Sequence, residues 1–156
     1  MAAILRAHGK HAVFCTHREM AQFESFFSSA DGSIQVLSWK NADISSLLQR
    51  AELLITDYSS VFMDFAFMER PILYYQFDRE EFRARHLPVG YFDYERDGFG
   101  PVCRTEDALL KELTVCFAAG GEMNRAYRDR AGAFFTLRDD KSCERTFHAI
   151  EAMLRR

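Results

Sequence analysis

The stretch "LLITDYSSVFMDFAFMERP", residues 53–71, decides how this chain is read. One apolar run closes in Thr56, Asp57, Tyr58, Ser59 and Ser60, and a second follows with a single carboxylate, Asp64, inside it. A buried strand that hands over directly to a buried helix has this pattern, with its polar residues gathered at the junction. The strand reads as 52–56 and the helix as Val61–Glu69.

Working outward, the same alternation recurs. "HAVFCT" (11–16), "SIQVLS" (33–38) and "PILYYQF" (71–77) read as further strands. "REMAQFESFF" (18–27) carries Met20, Phe23, Phe26 and Phe27 at helical spacing, and "ADISSLLQRA" (42–51) is a short helix with Asp43 as its N-cap. Helices are also expected over 105–119, 122–134 and 141–155, and residues 2–8 read as the tail of another. The segment 86–101, "HLPVGYFDYERDGFGP", holds three of the eight glycines and two of the three prolines, so it reads as a long loop. Strands separated by helices of this length imply an α/β fold: a Rossmann-like parallel sheet with helices on both faces, in one domain over 1–156. The chain opens inside a helix with no strand before it, as a piece of a longer protein or a short native start would.

Composition narrows the function classes. A chain of 156 residues hides roughly 70% of its unfolded surface, and 15 Phe with 6 Tyr predict an aromatic core. The net charge of -3, with no basic block, gives nucleic acid no electrostatic footing. Cys15, Cys103, Cys116 and Cys143 lack paired spacing, which fits reduced thiols and a cytoplasmic location. No run has the length of a membrane span or the form of a secretory signal. A peripheral membrane contact stays open.

In an open parallel sheet, ligands sit beyond the carboxyl ends of the strands. Thr56–Ser60 falls at such an end, where unpaired N–H groups and two serine hydroxyls suit an anion such as phosphate. Plain capping by Asp57 or a serine is the other reading of the same residues. Asp64 favours a site. In a helix expected to be buried nearly all round, a carboxylate must find a partner or face a polar cleft. His17 ends the first strand and is expected to point to the same crevice, as acid, base or phosphate partner; a lone solvated histidine is the other reading. A metal held by His17 with Cys15, His8 or His11 lacks a second ligand pair, so no metal is expected. "LRDDKSCER" (137–145) enters the last helix, with Asp140 as N-cap; Ser142 and the forked donor Arg145 again suit an anion. Asp78, at the end of the fourth strand, is also well placed for the cleft.

Taken in order, "ADISSLLQRAELLITDYSSVFMDFAFMERPILYYQFDREEF", "YFDYE", "GP" and "RDDKSCER" resemble the CDP-glycerol glycerophosphotransferase family, the teichoic-acid and capsule enzymes. The resemblance covers roughly 11–155 and implies the C-terminal, nucleotide-binding half of a two-domain GT-B fold. It implies a CDP-linked polyol donor, CDP-glycerol or a relative, and a polymer or lipid-linked acceptor. It also implies an N-terminal GT-B half that carries a second catalytic histidine, and no metal or other cofactor. Ser59 and Ser60 match the family's phosphate-binding serines, with Asp57 closing the motif. Ser142 and Arg145 match its last-helix motif, and His17 a histidine thought to act on the transferred phosphate. Two departures stand out: Thr16 and Arg18 flank His17 where the family usually has a proline, and Asp139-Asp140 replace a common Asp-Gly. The alternatives are another GT-B half using a different activated sugar, or a nucleotide-binding assembly module without catalysis.

Overall fold

The structure is a computed structural model that describes residues 1–29, 32–85 and 90–155. It carries five strands, β1 (Ala12–Cys15), β2 (Ile34–Leu37), β3 (Leu54–Thr56), β4 (Ile72–Tyr75) and β5 (Val102–Cys103). Seven α-helices accompany them: α1 (Ala2–Ala7), α2 (Ile44–Arg50), α3 (Val61–Phe67), α4 (Arg79–Arg85), α5 (Glu106–Ala118), α6 (Arg125–Phe134) and α7 (Ser142–Leu154). Every strand pairing is parallel, as an α/β alternation requires. The expected Rossmann-like class therefore holds.

One expectation needs correction. The strands form two hydrogen-bonded pieces, β1-β2 and β3-β4-β5, where a single sheet was anticipated. β5, only two residues long, lies between the stretch 86–101 that reads as loop and the helix expected over 105–119; residues 86–89 of that loop fall outside the described residues.

β4 organises the larger piece. Its side chains alternate between two cores because strand periodicity is two. Ile72 and Tyr74 enter one core with Phe62, Phe65 and Ala66 of α3, Phe99, and Met123 and Ala131 beside or on α6. Leu73 enters the other with Cys103, Leu109 and Leu113, and Ile4 of α1 and the N-cap residue Met1 pack against it. Full burial of an apolar side chain such as Phe65 is worth about 1.5–3 kcal/mol. Helices thus cover both faces here, which a parallel strand needs.

The helix ends follow from local chemistry. Asp43 caps α2 by accepting the Ser46 N–H at 3.1 Å, as its position predicts. Thr105 caps α5 through the Ala108 N–H at 3.2 Å, and Gly120 and Gly121 (φ +84° and +72°) end it. α6 begins at Arg125 rather than 122 because Asn124 caps it, accepting the Ala126 N–H at 2.9 Å. The expected helix over 18–27 is a 3₁₀ segment, Arg18–Phe26. Three residues per turn align Met20, Phe23 and Phe26 on one face, and all three are exposed.

The segment 91–98 is tied down by charge. Arg79, only 7% exposed, pairs with Glu95 at 3.0 Å and Asp93 at 3.7 Å, and Arg104 reaches the same Glu95 at 2.7 Å. Asp97 accepts the Asp93 N–H at 2.9 Å. Pairing with Arg96, and then that backbone bond, lower the Asp97 carboxyl from 3.8 to about 2. Because its folded value is depressed, its stabilising contribution is present above about pH 4 and is lost as pH falls towards 2.

Close backbone approach at Gly100 gives a direct test. A Cβ there would lie 1.9 Å from the Ile72 carbonyl oxygen on β4. Gly100→Ala is expected to cost about 3 kcal/mol in urea denaturation. Gly90→Ala, where a Cβ meets nothing within 4 Å, should stay within about 0.5 kcal/mol of the parent.

Candidate functional site

The junction singled out by sequence lies where expected, between the end of β3 at Thr56 and the start of α3 at Val61. Asp57, not a serine, satisfies the turn. Its Oδ1 accepts the N–H of Tyr58 at 2.6 Å and that of Ser59 at 3.2 Å. Ser60 is the N-cap residue of α3 but makes no side-chain cap bond. The hydroxyls of half-buried Ser59 and exposed Ser60 therefore have no partner among the described residues.

Three other segments brace this turn. Gln76, just beyond β4 and 1% exposed, donates from Nε2 to the Asp57 carbonyl at 3.0 Å. The Tyr94 hydroxyl donates to the Tyr58 carbonyl at 3.3 Å. Tyr58 stacks on Phe82 of α4, with centroids 3.7 Å and planes 7° apart, and donates its hydroxyl to Asp78 at 3.0 Å. Burial, and then the bond to Asp78, push the Tyr58 phenol far above its ordinary range, so it stays a neutral donor. A cleft of about 280 Å³ opens beyond β4, lined by Gln76, Asp78, Arg79 and Arg104 among others.

Asp64 requires a correction. α3 buries Phe62, Phe65 and Ala66 only, while Asp64 and Phe67 are exposed. The helix packs one stripe against β3 and β4, so Asp64 is solvated and the argument from desolvation does not apply to it. Its place one turn beyond Ser60 is unchanged.

His17 is exposed and caps the 3₁₀ segment: its Nδ1 accepts the Glu19 N–H at 3.2 Å. An accepting Nδ1 puts the proton of the neutral ring on Nε2, which then faces outward as a donor. The strand end behind it is held by Glu24, whose Oε1 accepts the hydroxyls of buried Thr16 at 3.0 Å and of Ser38 at 2.7 Å. Burial, then Glu24, raise the Cys15 thiol, and all four cysteines are free.

At α7 the N-cap is Lys141, not Asp140. Asp139 takes the capping part by accepting the Lys141 N–H at 3.0 Å. Arg145 donates from Nη1 to both Asp139 oxygens, at 2.8 and 3.0 Å, and from Nη2 to the Ser142 hydroxyl at 3.1 Å. Its pairing with Arg145 lowers the Asp139 carboxyl. The serine and arginine thus meet, but the arginine already holds an anion of the chain's own.

No hydrogen bond or ion pair joins these three groups among the described residues. His17 follows a strand of the smaller sheet, Thr56 ends and Asp57, Ser59 and Ser60 follow one of the larger, and Ser142 and Arg145 stand on α7. Sequence reading named all of them and overlooked Gln76 and Tyr94. The one available signal was Gln76 itself, a lone amide closing "ILYYQ".

A Rossmann-like parallel fold puts this polar turn beyond the carboxyl end of a strand, where open α/β sheets hold their ligands. Comparison with known proteins gives the family. Residues 9–152 match the family described as CDP-Glycerol:Poly(glycerophosphate) glycerophosphotransferase, and the chain belongs to it.

Among curated relatives it is 31% identical over 110 residues to the minor teichoic acid biosynthesis protein GgaB of Bacillus subtilis, covering 70% of this chain and 12% of that protein. It is 32% identical over 108 residues to a teichoic acid poly(glycerol phosphate) polymerase of the same organism, covering 69% and 14%. With the teichoic acid glycerol-phosphate transferase of Staphylococcus aureus the identity is 31%, over 69% of this chain and 28% of that one. The solved structure of the wall teichoic acid polymerase TagF shares the fold, with a TM-score of 0.69 at 21% identity, over 99% of this chain and 38% of that one. The chain therefore spans well under a third of these curated relatives and under half of that structure.

The division of labour at the turn is testable. Asp57→Ala removes two bonds to the turn and should cost about 1 kcal/mol in urea denaturation. Ser59→Ala and Ser60→Ala, which remove none, should each stay within about 0.5 kcal/mol of the parent.

Proposed function

We propose that this chain is the donor-binding part of a glycerophosphotransferase that moves glycerol phosphate from CDP-glycerol to a polymer or lipid-linked acceptor in cell-wall or capsule synthesis. One observation carries the reading. In a member of this family, a braced turn at a strand end holds out two serine hydroxyls that have no partner among the described residues. Groups held ready for an anion, with no bond of their own to break, suit a diphosphate.

In this reading Thr56 and Asp57 shape the turn and Ser59 and Ser60 contact the donor's phosphates. Asp64, exposed one turn further, is available to a polyol hydroxyl. Ser142 and Arg145 form a second anion contact when a phosphate displaces Asp139 from the arginine. His17 donates from Nε2–H to the transferred phosphate and offsets charge as it builds. An acceptor oxygen forms the new bond to phosphorus while the bond to CMP breaks. The acceptor's proton leaves to a base outside this chain, in the N-terminal half of a GT-B protein. No resident metal takes part. A lipid-linked acceptor is met by peripheral contact with a membrane; no helix among the described residues is long and apolar enough to cross one.

Calorimetric titration with CDP-glycerol, CMP, UDP and UDP-sugars tests the assignment. Cytidine nucleotides are expected to bind, with affinity unchanged by a chelator. Binding of a uridine nucleotide alone would replace the donor with another activated sugar. Ser59→Ala combined with Ser60→Ala should weaken CDP-glycerol about 10-fold or more while unfolding stays cooperative; unchanged affinity returns the serines to the surface.

A further inference from the structure

The buried carboxamide of Gln76 sits awkwardly for a core residue. Its neighbours Ile72, Leu73 and Tyr74 are apolar and buried, and at 1% exposure Gln76 is as deep as they are. Its Oε1 is buried without a hydrogen-bond partner among the described residues. An unpaired buried acceptor is a penalty that an apolar side chain of the same shape would avoid. What the amide provides is one bond, from Nε2 to the Asp57 carbonyl.

That bond completes a geometric pattern. A peptide group is planar, so its C=O and the following N–H move as one unit. The 57–58 plane is held at its carbonyl by Gln76 and at its N–H by Asp57 Oδ1. The 58–59 plane is held at its carbonyl by the Tyr94 hydroxyl and at its N–H by the same Asp57 oxygen. Two consecutive planes are each pinned at both ends. They lie immediately before the serine hydroxyls that have no partner of their own.

Tyr94 is itself anchored. Its ring meets that of Tyr74 edge-on, with centroids 5.0 Å apart, and its neighbours Asp93 and Glu95 pair with buried Arg79. The turn is thus referenced to β4 through one clamp and to the segment 91–98 through the other.

We propose that Gln76 and Tyr94 are positioning residues that set the orientation of the Ser59–Ser60 hydroxyls by clamping the two peptide planes before them. The inference rests on the donor-binding reading for the ligand, but the clamping can be read without one. Gln76→Met keeps the volume and removes both the donor and the unpaired acceptor. Tyr94→Phe removes one hydroxyl only, and serves if the first variant does not fold. The whole 156-residue chain is used.

Amide hydrogen exchange of Tyr58 and Ser59 by NMR, the thermal midpoint and titration with CDP-glycerol are measured together. Either variant is expected to speed exchange at those two amides about 10-fold and to weaken CDP-glycerol about 10-fold. The thermal midpoint should stay within a few degrees of the parent. Parent-like exchange at Tyr58 and Ser59 in both variants overturns the clamp. So does exchange that rises evenly along the chain with a falling midpoint, which would make these residues ordinary core. If the parent chain itself binds no cytidine nucleotide, the donor reading falls and the role in donor binding falls with it. That result is distinct from a failure of the clamp, which the exchange rates report separately.

Discussion

Burial of β4 from both sides is the constraint on which the rest of this structure depends. A four-residue strand can serve two cores only if consecutive side chains go opposite ways, and Ile72 to Tyr75 do. α3 and α6 are drawn to one face and α1 and α5 to the other. β3 and β5 then pair on either edge of it, in parallel register. Close backbone contact at Gly100 lets the chain return beside Ile72. Everything at the carboxyl end of this sheet takes its position from that strand.

The turn after β3 shows how such a scaffold supports a loop. Its backbone is tied by Asp57 locally, by Gln76 from the end of β4, and by Tyr94 from a distant segment. That segment lies within the glycine- and proline-rich stretch 86–101, which reads from sequence as a long loop. Over 91–98 its function is mechanical. Buried Arg79 gathers Asp93 and Glu95, and the gathered loop delivers the Tyr94 hydroxyl. The smaller sheet is less constrained: β1 leaves Val13 and Phe14 partly exposed, and His17 is oriented by one backbone bond to its ring.

Family membership and geometry answer different questions here. The match over residues 9–152 says which chemistry these motifs belong to. The geometry says which of the matched residues stand free and which are engaged. The Ser59 and Ser60 hydroxyls have no partner among the described residues, whereas Arg145 is paired with Asp139. The chain covers 12% to 28% of several curated relatives.

Much of this was legible in the sequence. Alternating apolar runs and turn residues determined the parallel α/β class, four of the five strands, the Asp43 cap and the position of the polar turn. Local periodicity and capping chemistry act over a few residues, so a linear reading captures them. Tertiary structure alone decided the rest. Asp64 is solvated because α3 packs a single stripe, a fact about neighbours rather than spacing. β5 exists because Val102–Cys103 meet the edge of β4, not because two residues have a pattern. The clamp on Asp57 and Tyr58 joins residues 19 and 36 positions apart, and such contacts are set only when the strands are laid side by side.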